Sequence, residues 1–257
     1  MIGQTQSARL PTALIEVEDV VLHYPLVPLF RSSIKEATLG MLLGRRSSPA
    51  PKFIEALRSL SLRVDRGERV GLIGRNGAGK SSLLRTIAGI YPPTSGSVRV
   101  HGQIRSLFEL FLGFEPEDNG RQNIRYRGYL LGYSKQEIAK LEDEIIDFAG
   151  LRESIDLPLK TYSAGMNVRL AFSISTAIGG DIVLIDEVFA AGDAEFQARA
   201  QRRMREIIQG SACMIFVSHD LQAIRENCTR VVWLDNGAIV ADGEPEQILQ
   251  SYTENLS

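Results

Sequence analysis

The stretch Gly71-Leu72-Ile73-Gly74-Arg75-Asn76-Gly77-Ala78-Gly79-Lys80-Ser81-Ser82 restricts the folds open to this chain more than any other. It reads as a buried strand over Val70–Ile73, a glycine-rich turn, and a helix over Ser82–Ala88. Gly74, Gly79, Lys80 and Ser81 fill the pattern G-x-x-x-x-G-K-[ST], in the strand–turn–helix context the pattern needs. A triphosphate carries several negative charges in a short length, so it needs closely spaced donors. Glycines let backbone N–H groups crowd around an anion, and a helix start adds the positive end of its dipole. Arg75, Asn76, Gly77, Ala78 and Ser82 belong to that cradle. Lys80 is expected to reach the β- and γ-phosphates, and the Ser81 hydroxyl to ligate Mg²⁺. The expectation is a nucleoside-triphosphate binder.

Composition removes some alternatives. The 257 residues are 44% hydrophobic and 23% charged, which is ordinary for one large globular domain or two lobes sharing a core. A net charge of −2 gives no general footprint for nucleic acid. The two cysteines, Cys213 and Cys228, have neither disulfide-framework nor metal spacing and are expected as reduced thiols. Met1–Leu10 lacks the apolar core of a signal peptide, and no run approaches the ~20 apolar residues of a membrane span. Any membrane role is therefore expected to come through a partner.

Taken in order, Leu14–Val21 alternates like a half-buried strand, and Tyr24 follows it. Tyr24 and Phe53 are alternative platforms for a nucleotide base, or core and loop aromatics. Pro25 and Pro28 are expected to break the strand. A basic helix with a Ser33/Glu36 capping box follows, its apolar stripe formed by Phe30, Ile34, Ala37 and Met41. With Arg31, Lys35, Arg45 and Arg46 on it, this helix suits a membrane surface or membrane partner, or it packs on its own domain. Strands are expected at Leu57–Val64, Val98–Val100, Ile104–Leu107, Asp181–Ile185 and Met214–Val217. Arg230–Leu234 and Ala238–Ala241 flank the hairpin turn Asp235-Asn236-Gly237. Asn119–Gly150 turns helical, with a capping box at Ser134/Glu137, and reads as a lobe inserted into an α/β core. Helices are also expected at Ala194–Ile208, capped by Asp193, and at Pro245–Tyr252.

Asp186 and Glu187 end an apolar strand although adjacent carboxylates repel. In a phosphate-loop ATPase the first holds Mg²⁺ and the second polarises the attacking water. His219 sits where another core strand ends, and ligands bind at the carboxyl ends of parallel strands. Tyr162-Ser163-Ala164-Gly165-Met166-Asn167-Val168-Arg169 is a glycine turn opening a helix, a place for an anion or simply a cap.

The order of these motifs resembles the ATP-binding subunit of ABC transporters over about Leu14–Tyr252. Three stretches narrow the resemblance to ATPases that export O-antigen, capsule, teichoic acid and galactan. They are Ile73–Lys80, Tyr162–Met166 and Asp186-Glu187-Val188-Phe189-Ala190-Ala191-Gly192-Asp193-Ala194. The basic helix before the phosphate loop also resembles that group. The resemblance implies an α/β fold of the ABC-transporter P-loop type. It would have a RecA-like parallel-sheet core, an antiparallel β subdomain and an inserted α-helical subdomain. Residues 1–13 would form a tail and 14–252 the ATPase domain. Within that domain lie the basic insertion (25–52) and the helical subdomain (about 115–165), and 253–257 would be a second tail.

By the same resemblance, ATP and Mg²⁺ are the cofactors, Asp186 and Ser81 hold the metal, Glu187 activates water and His219 meets the γ-phosphate. Ser163 and Gly165 would contact ATP bound by a second subunit, which implies a head-to-tail homodimer with ATP at its interface. Asp193 would couple the two sites. The implied setting is the cytoplasmic face of the cytoplasmic membrane. The partners there would be a permease, itself expected as a dimer, and, indirectly, a lipid-linked glycan; no nucleic acid is implied.

Ala164 and Met166 depart from the general signature, as polysaccharide exporters tolerate. Arg105–Phe114 holds no glutamine, and Glu109 falls nearest the glutamine's place. A C-terminal carbohydrate-binding sandwich, present in the long O-antigen ATPases, is not expected. An ATPase for another cargo and a soluble non-transport ATPase remain the alternatives.

Overall fold

The computed structural model describes residues 13–26, 52–186 and 193–256. Two sheets organise them. An antiparallel sheet has the order β2-β1-β4, from β1 (Ala13–Leu26), β2 (Lys52–Asp65) and β4 (Ser95–Val100). The main sheet is built from β3 (Arg69–Ile73), β5 (Ile104–Ser106), β6 (Ile182–Asp186), β7 (Cys213–Val217), β8 (Arg230–Asp235) and β9 (Ala238–Gly243). Its order is β5-β6-β7-β3-β8-β9, parallel from β5 to β8 and antiparallel at β9.

The central strands β3, β6 and β7 are mostly apolar because both faces are covered. Leu72, Leu184, Val217 and Val232 pack toward the antiparallel sheet and α1 (Lys80–Ile87). Their neighbours Ile73, Val183, Ile185, Met214 and Val231 pack on the other side. There they meet α5 (Ala194–Gly210), α6 (Leu221–Asn227) and α7 (Pro245–Leu256). A third cluster lies in the helical lobe, made of α2 (Gly120–Leu130), α3 (Lys135–Ala149) and α4 (Ala164–Ala177). Ile124, Ile138, Ile145, Leu170 and Ile174 form its centre, all at or below 2% exposure.

Several boundaries differ from the sequence expectation. β1 continues through Pro25, which pairs with Phe53. The missing N–H is tolerated there because pairing with β4 has ended at Val21–Ser95, leaving that side of β1 without a partner strand among the described residues. The helical stretch after Asn119 is two helices, each opened by a capping box, Asn119/Gln122 and Ser134/Glu137. The C-terminal helix runs on to Leu256, supported by bonds such as Thr253 Oγ1 to Leu249 O at 2.8 Å. The Asn236-Gly237 turn forms with both residues at positive φ, as a two-residue hairpin requires. The basic helix expected at Ser33–Arg46, and Glu187 to Gly192, lie outside the described residues. Among the described residues no helix is long and apolar enough to cross a membrane.

Candidate active site

The parallel sheet brings the expected residues to one edge. Val217 of β7 pairs with Leu72 of β3 on one side and with Asp186 of β6 on the other, so the three strands end level. Beyond those ends come the glycine loop 74–79, Asp186 itself, and His219. Asn76 to Ser82, Asp186, Val217 and His219 line a cavity of about 630 Å³ together with Tyr24, Ile54, Glu55 and Ala56; Gly74 and Arg75 do not line it.

The loop is held from three directions. Lys80, 7% exposed, donates from Nζ to Gly74 O at 2.7 Å and to Arg75 O at 3.1 Å. The hairpin turn braces it from outside: Gly237 N donates to Ala78 O at 3.0 Å, and Gly237 O accepts from Arg58 N at 2.8 Å. Gly79 has φ +104°, and a Cβ there would stand 2.7 Å from Ala56 O, so the loop and β2 approach only because this position has no side chain. This role of the hairpin was not visible in the sequence, where Asn236-Gly237 signals only a turn.

The N-terminus of α1 has no side-chain cap and no acidic residue in its first turn. By contrast, the helices that open at Gly120, Lys135, Ala164, Ala194 and Leu221 are capped by Asn119, Ser134, Ser163, Asp193 and Asp220. Among the described residues, the first N–H groups of α1 therefore face the cavity without a side-chain acceptor, next to a buried ammonium. That combination suits an anion. Ser81 Oγ donates to Asp186 Oδ2 at 2.7 Å, which brings a hydroxyl and a carboxylate oxygen together beside the cradle. Mg²⁺ in triphosphate sites takes one or two such oxygens and completes its shell with phosphate and water, so this pair fits it.

Tyr24 lines the cavity; its hydroxyl donates to Ser82 Oγ at 3.1 Å and its ring meets Tyr91 edge-to-face at 5.4 Å. Phe53, the alternative platform, is 58% exposed, packs against His23, and does not line this cavity.

Ser163, Gly165 and Asp193 lie elsewhere. Ser163 is exposed and its Oγ accepts from Met166 N at 3.2 Å, so within this chain it acts as a helix cap. A Cβ at Gly165 would meet only Ser163 Oγ, at 3.9 Å. Asp193 caps α5 through Phe196 N at 2.8 Å and receives Arg169 Nη1 of α4 at 3.2 Å. The Phe196 N–H, with Arg169 as a smaller contribution, holds the Asp193 carboxyl below the usual range. The site residues thus form two groups: a phosphate-loop cavity, and an exposed α4–α5 face joined by Arg169–Asp193. Arg169 closes the Tyr162–Arg169 stretch singled out in the sequence, which gave it no role; its partner Asp193 lies 24 positions on.

Comparison with known proteins agrees with this architecture. The sequence pattern of the family described as "ABC transporter" matches residues 57–190. An O-antigen export system ATP-binding protein RfbB of Klebsiella pneumoniae is 38% identical over 244 residues, covering 95% of this chain and 99% of the relative. The RfbB of Myxococcus xanthus is 39% identical over 94% of this chain, and the chain spans 57% of that relative's length. A teichoic acids export ATP-binding protein TagH of Lactococcus lactis is 37% identical over 93% of this chain and 50% of its own. Among solved structures, an ATP-binding subunit of an ABC transporter superposes with TM-score 0.67 at 22% identity, covering 93% of each chain. The fold and site define a nucleotide-binding cassette of the phosphate-loop class. The chain belongs to the ABC transporter family, as its ATP-binding subunit. The resemblance to polysaccharide-export ATPases and the expected fold class are both borne out.

Proposed function

We propose that this chain hydrolyses ATP to power export of a lipid-linked polysaccharide through a separate membrane permease. The observation that carries the chemistry is the uncapped start of α1 beside buried Lys80, with Ser81–Asp186 level with it on the next-but-one strand. The cargo rests on the relatives named for O-antigen and teichoic acid export.

In this reading the loop N–H groups and Lys80 bind the β- and γ-phosphates, and Tyr24 faces the base. Ser81 and Asp186 hold Mg²⁺, which when bound neutralises charge on the phosphate oxygens. Glu187 polarises the attacking water, and His219, exposed at the cavity rim, meets the γ-phosphate. The exposed Ser163–Gly165 turn suits the γ-phosphate held by a second copy, making a head-to-tail homodimer with Asp193 coupling its two sites.

The permease would dock where Phe111, Leu112, Tyr129 and Leu130 are 47–62% exposed beside one another, Leu130 lying against Gly113. ATP binding closes the dimer and moves the permease through the helical lobe. The protein then works peripherally, at the cytoplasmic face of the membrane.

Tagged Glu187→Gln, expressed in the native host and recovered from gently solubilised membranes with ATP and Mg²⁺, tests the proposal. A co-purifying multi-span permease and accumulated lipid-linked glycan are expected. A permease without glycan build-up removes the polysaccharide, and recovery only from the soluble fraction removes the transporter.

A further inference from the structure

A closed circuit of contacts starts and ends on α1. Ser82 Oγ accepts from the Tyr24 hydroxyl at 3.1 Å. The Tyr24 ring meets Tyr91 edge-to-face at 5.4 Å with planes 82° apart. Tyr91 in turn lies under the Arg85 guanidinium, whose carbon is 5.9 Å from the ring centroid. Arg85, one turn after Ser82, donates from Nε to Glu109 Oε1 at 2.6 Å, with side chains 31% and 25% exposed. Burial works against the guanidinium charge, but Glu109's hydrogen bond and charge more than offset it and leave the Arg85 pKa above its ordinary value.

Tyr24 needs such support. It lies beyond the last β1–β4 pair, so among the described strands β2 alone pairs with it. The 91–94 loop supplies the rest: Thr94 N donates to Val21 O at 2.7 Å, and His23 N donates to Thr94 Oγ1 at 3.0 Å. Tyr91 N and Ile90 N both donate to Arg85 O, so Arg85 holds this loop by its backbone as well as covering the Tyr91 ring by its side chain. Substituting the side chain therefore removes the ring contact and leaves the loop anchor in place.

Glu109 sits where the chain leaves the sheet toward the exposed Phe111 and Leu112, and its backbone is left-handed at φ +54°. A second cation faces it. Arg127 of α2 is 3% exposed, donates from Nη1 to Leu112 O at 2.9 Å, and its Nε has no hydrogen-bond partner among the described residues. Burial pushes the Arg127 pKa down, with the Glu109 charge opposing that shift. Glu109 thus pairs with an arginine of the phosphate-loop helix, and its charge favours the buried cation of the helical lobe.

We infer that Arg85 is a positioning residue for the base-facing Tyr24 ring, acting through Tyr91 and itself held by Glu109. This rests on the reading of the Tyr24-lined cavity as the nucleotide site. The circuit touches the base side of the cavity and none of the groups assigned to the phosphates except through Ser82. Its loss therefore changes affinity for a nucleotide and not for a bare polyphosphate. Through Glu109 it also ties the ring to the segment that carries Phe111 and Leu112.

The test uses the full-length protein with two probes, ATP and inorganic tripolyphosphate, and follows binding together with KM and kcat for ATP. Arg85→Leu and Tyr91→Leu should each weaken ATP binding about 3–10-fold, the size of one cation–π or ring contact. KM should rise in step, kcat should stay within about twofold, and tripolyphosphate affinity should not change. The double variant should lose little more than either single one, because both break the same circuit. Arg85→Lys, which keeps the cation, should recover most of the affinity. Glu109→Gln keeps shape and removes the charge that Arg85 and Arg127 rely on, and should reproduce the base-dependent loss together with a lowered thermal midpoint, while tripolyphosphate affinity stays unchanged. Unchanged ATP affinity in Arg85→Leu and Glu109→Gln, or parallel loss of ATP and tripolyphosphate, would overturn the inference. Lys80→Ala run beside them separates the two levels. If it leaves both probes binding normally, the nucleotide site itself has been misassigned.

Discussion

Two alanine substitutions in the phosphate loop separate effects that the native glycines combine. Gly77 and Gly79 have φ +82° and +104°, so alanine at either costs about 1–2 kcal/mol of backbone strain. At Gly77 nothing among the described residues lies within 4 Å of the added Cβ, and strain is the effect expected. At Gly79 the Cβ would stand 2.7 Å from Ala56 O and 3.2 Å from Leu57 Cδ2. Ala56 O is a backbone atom of β2 and cannot swing aside as a side chain does, so overpacking adds about 1–3 kcal/mol. The totals are about 1–2 kcal/mol for Gly77→Ala and about 2–5 kcal/mol for Gly79→Ala. At roughly 2–4 °C per kcal/mol for a chain of this size, the melting midpoint falls about 2–8 °C and about 4–20 °C respectively. Thermal unfolding followed by circular dichroism reads both. Because Ala56 lines the cavity, Gly79→Ala should also lose the stabilisation that saturating ATP gives, while Gly77→Ala keeps part of it. Equal midpoint losses would refute the reasoning, since the two sites share the strain and differ only in the contact.

Burial pushes the thiols of Cys213 and Cys228 up to about 12, so iodoacetamide at pH 8 should label them about a thousandfold more slowly than an ordinary cysteine until the chain unfolds. Hydrogen bonds hold the carboxyls of Asp156 (from Arg121), Glu137 (from Ser134) and Asp193 (from Phe196 N) below their ordinary range. Stability from these depressed groups is present above the ordinary carboxylate range and is lost as pH falls through their folded values. The midpoint should therefore be flat from pH 7 to about 5 and drop below about pH 4, less steeply in Asp156→Asn. Ser81→Ala and Asp186→Asn each remove one of the paired oxygens and should lower Mg²⁺-dependent phosphate release by at least about tenfold, while magnesium-free nucleotide binding changes far less. Equal loss in both assays would remove the metal from this pair.

The strand ends that carry Gly74, Asp186 and His219 were legible in the sequence because each follows a continuous apolar run. Such runs belong to parallel strands covered on both faces, and their carboxyl ends share one edge. The cap at Asp193 and the box at Ser134/Glu137 were legible for a similar reason: each is a bond between residues three positions apart. Pro25 misled because whether a strand tolerates proline depends on which side of it is paired. β1 has lost its β4 partner by that point.

Local chemistry, then, was set by the sequence: a turn of glycines with a lysine and a serine after it makes a phosphate cradle wherever it is placed. What only the tertiary structure decided is which distant residues meet that cradle. Gly237 braces the loop from 158 positions beyond Gly79, and Ser81 reaches Asp186 across 105 positions. Arg85 finds Glu109 and Tyr91 at once, and Arg169 finds Asp193. Contacts of that separation depend on the order β5-β6-β7-β3-β8-β9, in which β3 lies beside strands made more than a hundred residues later. A side-chain pattern records the period of a strand and the face it buries, but not which strand lies next to it. The neighbours are chosen by burying every apolar face at the same time, and that condition exists only in the folded chain.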